Sequence, residues 1–210
     1  MIRVLIADDH GIVRQGLKQI VSESPGIVVT GEASDGEEAL ALARQQQFDV
    51  AIIDIAMPGK GGLDILKELR REHPLMKLIV LSIYSEEQYA IRCLRDGASA
   101  YLSKGNATDE LIPAIQTVAA GKRFITPLVA ERLASYVEGG EKRALHESLS
   151  NREMQIFLLI GGGKSAGDIS RDLSLSVKTI STYRARILLK MGMRTNAQLI
   201  QYAIRNGLVP

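Results

Sequence analysis

The sequence predicts an α/β protein, a doubly wound five-stranded parallel sheet, followed by a second, smaller all-α domain. Three observations carry this. Short aliphatic runs alternate with longer amphipathic stretches through the first 121 residues. After residue 150 the runs give way to capped helical segments. The charge also changes sign: residues 1–121 hold 12 Lys/Arg against 17 Asp/Glu, residues 122–149 hold 5 against 4, and residues 150–210 hold 9 against 3. An acidic module followed by a basic one makes a nucleic-acid partner for the second worth testing.

The strand candidates are IRVLIA (2–7), IVVTGEA (27–33), DVAIIDI (49–55), KLIVLS (77–82) and ASAYLS (98–103). Each is rich in β-branched or aliphatic residues and separated from the next by enough chain for a crossover helix. Ser34-x-x-Glu37 and Ser85-x-x-Gln88 fit capping boxes, which satisfy the open backbone donors at a helix start. No run approaches the ~18 apolar residues of a membrane span. One cysteine, Cys93, cannot form an internal disulfide, and no Cys/His spacing suits zinc. These features predict a cytoplasmic protein without membrane contact, with Cys93 as core filler.

In a doubly wound sheet, functional groups gather beyond the C-terminal strand ends. Asp8-Asp9 follow the first strand, Asp54 ends the third, Ser82 the fourth and Lys104 follows the fifth. Singly, each residue type also suits a cap, a turn or a solvated surface. Together they place three carboxylates on one edge, where mutual repulsion calls for a cation, and oxygen ligands suit Mg²⁺. A hydroxyl and an ammonium opposite can hold phosphoryl oxygens.

Through LIADDH, DIAMPGKGG, the Ser82 that ends VLS, and YLSK, residues 1–121 resemble the receiver domain of bacterial two-component response regulators, a flavodoxin-like fold. The resemblance implies that Asp54 accepts a phosphoryl group from a histidine kinase. It implies that Asp9, Asp54 and the backbone carbonyl of Ala56 ligate Mg²⁺, with Asp8 acting mainly through water. Ser82 and Lys104 would bind phosphoryl oxygens, Lys104 chiefly in the phosphorylated state, and Tyr101 would change rotamer as Ser82 is drawn inward. Ser82 stands where threonine is commoner. Gly105 stands where many receivers have proline, which leaves the isomer of the Lys104–Gly105 peptide open.

Residues 122–149 read as a linker, with a helix from about 127 to 137 opened by Thr126-Pro127 and broken at Gly139-Gly140. Ser150-x-x-Glu153 then caps a helix with Met154, Phe157, Leu158 and Ile160 on one face. The run IGGGKS (160–165) invites a phosphate-loop reading. That loop needs a glycine at the position of Leu158 and a strand before it, and both are missing. The glycines end one helix instead. Ser165-x-x-Asp168 caps the next, with Ile169, Leu173 and Leu175 inward, and Ser176 caps a third running VKTISTYRARILLKMG.

Three such helices suggest helix-turn-helix. On the third, Val177, Ile180, Ile187 and Met191 are expected on the buried face. Lys178, Ser181, Thr182 and Arg186 face outward with Arg184 on the flank, a short polar and basic surface suited to a major groove. Thr179 and Lys190 complete the candidate DNA contacts on this helix, and Lys164, beside the second helix's start, is a candidate for a DNA phosphate.

Residues 150–210 resemble the LuxR-type helix-turn-helix of the NarL/FixJ response regulators through LSNREMQ, KTIS, KMGMRTNAQL and AIRNGLV. The resemblance implies a fourth helix, about Asn196 to Asn206, which in relatives often serves dimer contact. Tyr183 stands where histidine is frequent, and Ala166-Gly167-Asp168 replaces the usual Asn-Lys-Glu. The expected function is a transcription regulator controlled by phosphorylation, binding double-stranded DNA as a homodimer. An ATPase is opposed by the failed loop spacing, and a phosphatase by the lack of a separate acid or base. A single-stranded RNA binder is opposed by the scarcity of aromatics, 4% of residues.

Overall fold

In the computed structural model the five expected strands form one parallel sheet: β1 Ile2–Ala7, β2 Ile27–Ala33, β3 Val50–Asp54, β4 Lys77–Ser82 and β5 Ala100–Ser103, in the order β2-β1-β3-β4-β5. The structure describes residues 1–57, 62–83, 86–137 and 144–209, apart from the side chains of 86–88, 132 and 135–137. They fall into two units, Met1–Val137 and Glu138–Pro210. Helices α1 Gly11–Ser22, α2 Gly36–Gln45, α3 Gly62–Glu72, α4 Glu86–Arg95 and α5 Ala107–Ala119 connect and follow the strands.

Strand order reverses between β1 and β3, whose residues pair as Val4 with Val50 through Ala7 with Ile53. The loops after these strands leave in opposite directions and open a crevice, with Asp8 and Asp54 side by side at its floor. Period-two alternation sends Val4, Ile6, Ile52 and Ile79 to one face, where Leu17 and Val21 of α1 and Leu111 and Ile115 of α5 cover them. Leu5, Ile53 and Val80 at the alternate positions are fully buried as well, and this double-sided burial holds the strand ends still.

The α2 cap differs from expectation by one residue. Asp35, not Ser34, is the N-cap and accepts from the Glu38 N–H at 2.9 Å, while the Glu38 carboxylate returns to the Ser34 N–H at 2.7 Å. A carboxylate at the cap also suits the positive end of the helix dipole, which favours Asp35 over its neighbour. The Ser85 box and the Gly139-Gly140 break lie outside the described residues. The Lys104–Gly105 peptide is trans, as is every described peptide.

The helix expected in the linker, α6 Pro127–Val137, belongs to the first unit, where it packs on α4. Phe124 makes a parallel bridge beside Ala100 of β5, and its N–H donates to the Ser99 carbonyl at 3.1 Å. Thr126 caps α6, and Val129 is buried.

The second unit comprises a 3-10 turn at Leu145–Ser148 and helices α7 Asn151–Gly161, α8 Ala166–Asp172, α9 Val177–Lys190 and α10 Asn196–Arg205. Capping boxes open α7, α8 and α10. Met154, Phe157, Leu158 and Ile160 are buried as expected. On α9 the buried set is Ile180, Ile187, Leu188 and, just past its end, Met191, whereas Val177 is 51% exposed. As the first helical residue, Val177 lies beyond the stretch of α9 that rests on the core. Leu175 is half-buried.

Between α8 and α9 the chain turns through Ser174, the one non-glycine with positive φ (52°) among the described residues. The Leu175 N–H reaches back to the Ser170 carbonyl and the Ser174 N–H to Arg171, closing the helix end with Ser174 in the position that favours glycine. Ser174→Gly is therefore expected to stabilise the second unit by about 0.5 kcal/mol, after the larger backbone entropy of glycine in the unfolded chain is deducted. Urea unfolding should show a higher midpoint with unchanged slope.

Candidate functional sites

At the crevice, Asp8 and Asp54 are both 1% exposed, and one ammonium reaches both. Lys104 Nζ lies 2.7 Å from Asp8 Oδ2 and 2.8 Å from Asp54 Oδ2. The Ala56 N–H donates to Asp54 Oδ1 at 3.0 Å, and the His10 N–H to Asp8 Oδ1 at 2.8 Å. Lys104 thus pairs with both carboxylates, a contact separate from the one expected with phosphoryl oxygens. The physical reason is the mutual repulsion of two buried carboxylates, which needs a counter-charge at all times.

Burial pushes the Asp54 carboxyl above the usual carboxylate value, against the pull of Lys104 and the Ala56 N–H and with the help of neighbouring Asp8. Burial opposes the charge on Lys104, but Asp54 and Asp8 outweigh it and hold the ammonium above its ordinary value. The remaining Asp8 Oδ2 valence has no aligned hydrogen bond despite the ion pair. Asp9 is more open, and the His10 ring nitrogen Nδ1 lies 2.9 Å from Asp9 Oδ1. Donor atoms of Asp8, Asp9, His10 and Asp54 all lie within 4.8 Å of one another.

Ser82 and Tyr101 are both buried, at the end of β4 and within β5. Cys93 is buried too, and burial drives its thiol far above the range in which it would react. Two residues near the crevice escaped sequence reasoning. His10 joins the carboxylate cluster, and its only signal is its place directly after the aspartate pair. Gly62, the first residue of α3, passes so close behind Asp54 that a Cβ there would stand 2.1 Å from the Asp54 carbonyl oxygen. That close approach was signalled only by the glycine itself.

On α9 the candidate residues are differently engaged. Ser181 and Thr182 are exposed, their hydroxyls donating to the Val177 and Lys178 carbonyls at 2.9 and 3.0 Å. Thr179 is held at the cap, its N–H on Ser176 Oγ at 3.0 Å. Arg186 lies over the Tyr183 ring, 5.9 Å from its centroid. Lys178 is exposed and meets no carboxylate among the described residues. Arg184 donates to Asn196 Oδ1 of α10. Lys190 is drawn back to buried Glu153 of α7 at 2.6 Å. Lys164 pairs with Asp172 at 2.5 Å.

Residues 4–116 match the response regulator receiver domain family, and residues 147–203 match the bacterial regulatory proteins of the luxR family. The chain belongs to the response regulators that join a receiver to a LuxR-type DNA-binding domain. It is 39% identical to the response regulator GacA of Pseudomonas viridiflava, over 100% of this chain and 98% of that one. It is 39% identical to the response regulator UvrY of Escherichia coli, over 99% and 96%. RcsB of Salmonella enterica serovar Typhimurium, solved bound to promoter DNA with the phosphomimetic BeF₃⁻, is 27% identical with a TM-score of 0.60, over 96% and 97% of the two chains. Among the described residues no helix is long and apolar enough to cross a membrane.

Membership of this family fits the glycine run, which in the DNA-binding domain is a helix stop. Gly163 takes φ +82°, its N–H bonds to the Ile160 carbonyl at 2.9 Å, and the Lys164 N–H bonds to Leu159 at 3.0 Å, the Schellman pattern. Ser165 then caps α8 through the Asp168 N–H, and the Asp168 carboxylate returns to Ser165. The start of α8 is therefore filled by a carboxylate of its own chain, and Lys164 faces Asp172 rather than an open helix end.

In the receiver, the acidic cluster is of the kind that holds Mg²⁺, and its oxygen-rich donor set fits a cation. Lys104→Met in metal-free buffer removes the one cation shared by Asp8 and Asp54. It is expected to lower stability by about 2 kcal/mol, part of which Mg²⁺ restores. Urea unfolding with EDTA and with Mg²⁺ measures both.

Proposed function

We propose that a sensor histidine kinase phosphorylates Asp54 and that this controls dimerisation and sequence-specific DNA binding. The observation that carries the reading is the bridge from Lys104 to Asp54 and Asp8 at the strand ends. An oxygen of Asp54 attacks the phosphorus of the kinase phosphohistidine, the P–N bond breaks, and its electron pair stays on the imidazole. Asp9, Asp54 and the Ala56 carbonyl would hold Mg²⁺, with Asp8 through water, and the ion would neutralise charge on the phosphoryl oxygens. The product adds about one negative charge, and its oxygens compete with the existing carboxylates for Lys104 and the Ser82 hydroxyl. Rearrangement there reaches Tyr101, buried one strand away.

For DNA, α9 presents Ser181 and Thr182 for base edges, with Lys178 and Arg186 for phosphates. Arg184 and Lys164 would exchange their internal partners for phosphates, and Lys190 serves the packing of α9 on α7. The RcsB complex with promoter DNA supports this class of partner. Two reading heads joined in a dimer gain affinity and spacing specificity for paired half-sites.

Labelling by acetyl phosphate is expected to require Mg²⁺ and to vanish in Asp54→Ala, together with any phosphate-dependent rise in dimer by sedimentation. Full labelling of that variant would reject the assignment. On operator and random DNA, Thr182→Ala is expected to lose discrimination between the two. Lys178→Ala should weaken both alike and flatten the salt dependence by about one unit. Gel shifts at several salt concentrations separate the two roles.

A further inference from the structure

We propose that His10 is a nitrogen ligand for the cation of the receiver cluster, so that the site takes Mn²⁺ and similar transition cations more tightly than its carboxylates alone would. The inference rests on the reading of Asp8, Asp9 and Asp54 as the cation site.

His10 is the N-cap residue of α1, yet its side chain makes no capping hydrogen bond. Capping is done by the backbone, the His10 carbonyl accepting from the Val13 and Arg14 N–H groups at 3.0 and 3.1 Å. The imidazole is thereby released from the role its position would normally give it. It turns toward the crevice instead, with Nδ1 2.9 Å from Asp9 Oδ1 and 3.3 Å from Asp8 Oδ1. The loop is pinned in that posture by the His10 N–H on Asp8 Oδ1 and by Arg14, which donates to the Asp8 carbonyl at 2.7 Å.

The dimensions suit a single ion. Opposite ligands of an octahedral divalent cation with ~2.1–2.3 Å bonds stand roughly 4.2–4.6 Å apart and adjacent ones about 3 Å. One donor atom from each of Asp8, Asp9, His10 and Asp54 lies within 4.8 Å of the others, close to that span. The donor set fits as well, three carboxylates beside an imidazole that is not used for capping. The His10 side chain itself is 60% exposed, which leaves room for the waters that complete a coordination sphere.

Ligand chemistry then sets the preference. Mg²⁺ takes oxygen ligands and keeps its waters, and gains little from imidazole. Mn²⁺ accepts carboxylate and imidazole together, and affinity for nitrogen rises further along the first-row series.

Mn²⁺ bound to the full-length protein is observed by electron spin resonance, with spin-echo modulation reporting any directly coupled ¹⁴N, and Mg²⁺ affinity is measured by competition. Expected are imidazole ¹⁴N modulation in the wild type, its loss in His10→Gln, and about a tenfold weaker Mn²⁺ affinity in that variant, with Mg²⁺ changed by less than about twofold. Absence of ¹⁴N coupling in the wild type, or an unaltered Mn²⁺ to Mg²⁺ preference in His10→Gln, overturns the role of His10 while leaving the carboxylate site intact. Mn²⁺ affinity unchanged in Asp9→Asn overturns the cation site itself, and the proposal with it. The His10 side chain is mostly solvated, and circular dichroism of His10→Gln checks that the fold is retained.

Discussion

Two carboxylates can be buried side by side at the floor of the receiver crevice because a single ammonium stands between them. Lys104 Nζ is within 2.8 Å of an oxygen from each. Sheet order explains why lysine is the residue that does it. Asp8 and Asp54 end adjacent strands, whereas Lys104 follows β5, two strands from β3. Strands stand about 4.8 Å apart, so the charge must cross roughly 10 Å over the end of β4, where Ser82 sits. A flexible four-carbon stem spans that gap and delivers a point charge, which a rigid guanidinium fork or a shorter side chain would not.

The same economy organises the DNA-binding domain. Of its cations, Lys190, Lys164 and Arg184 are tied to Glu153, Asp172 and Asn196. The pairs on the exposed side hold little stability, since solvent screens them, and a DNA phosphate can displace their partners at small cost. Lys190 with Glu153 is different. Glu153 is buried, and it also closes the capping box at Ser150, so this pair belongs to the joint that sets α9 against α7. Basic residues on one helix are therefore not equivalent, and burial of the partner decides which is free to meet DNA.

Most of the strand frame was legible in the chain. Ile2–Ala7 and Lys77–Ser82 fall where the aliphatic runs do, because central parallel strands are buried on both faces and tolerate little else, and the edge strand Ile27–Ala33 still matches its β-branched run. Local chemistry was legible to within a residue, as the cap at Asp35 instead of Ser34 shows. Pairings across the fold were not. Lys104 and Asp54 are 50 positions apart and Lys190 and Glu153 are 37 apart, and no local pattern encodes such contacts. Val177 was misplaced because helical periodicity assumes a partner from the first residue on, and the buried face of α9 begins only at Ile180. Gly62 carries no pattern of its own, since its requirement is set by the Asp54 carbonyl lying behind it.

The boundary of the first unit bears on how a change at the crevice can leave it. Composition shifts after Gly121, but the packing does not end there. Phe124 is hydrogen-bonded alongside β5, and α6 lies on α4. β5 carries Tyr101, and the loop after it carries Lys104, whereas α4 follows the loop that begins beyond Ser82. Both elements that flank Ser82 and Lys104 are thus in direct contact with the segment that leads out of the unit. Displacing β5 or α4 while α6 stays in place would break the Ser99–Phe124 hydrogen bond or expose Val129, which is 2% exposed as it stands. Packed interiors yield by switching between arrangements rather than by deforming gradually. The exit segment must therefore move with β5 and α4 or lose its contacts with them.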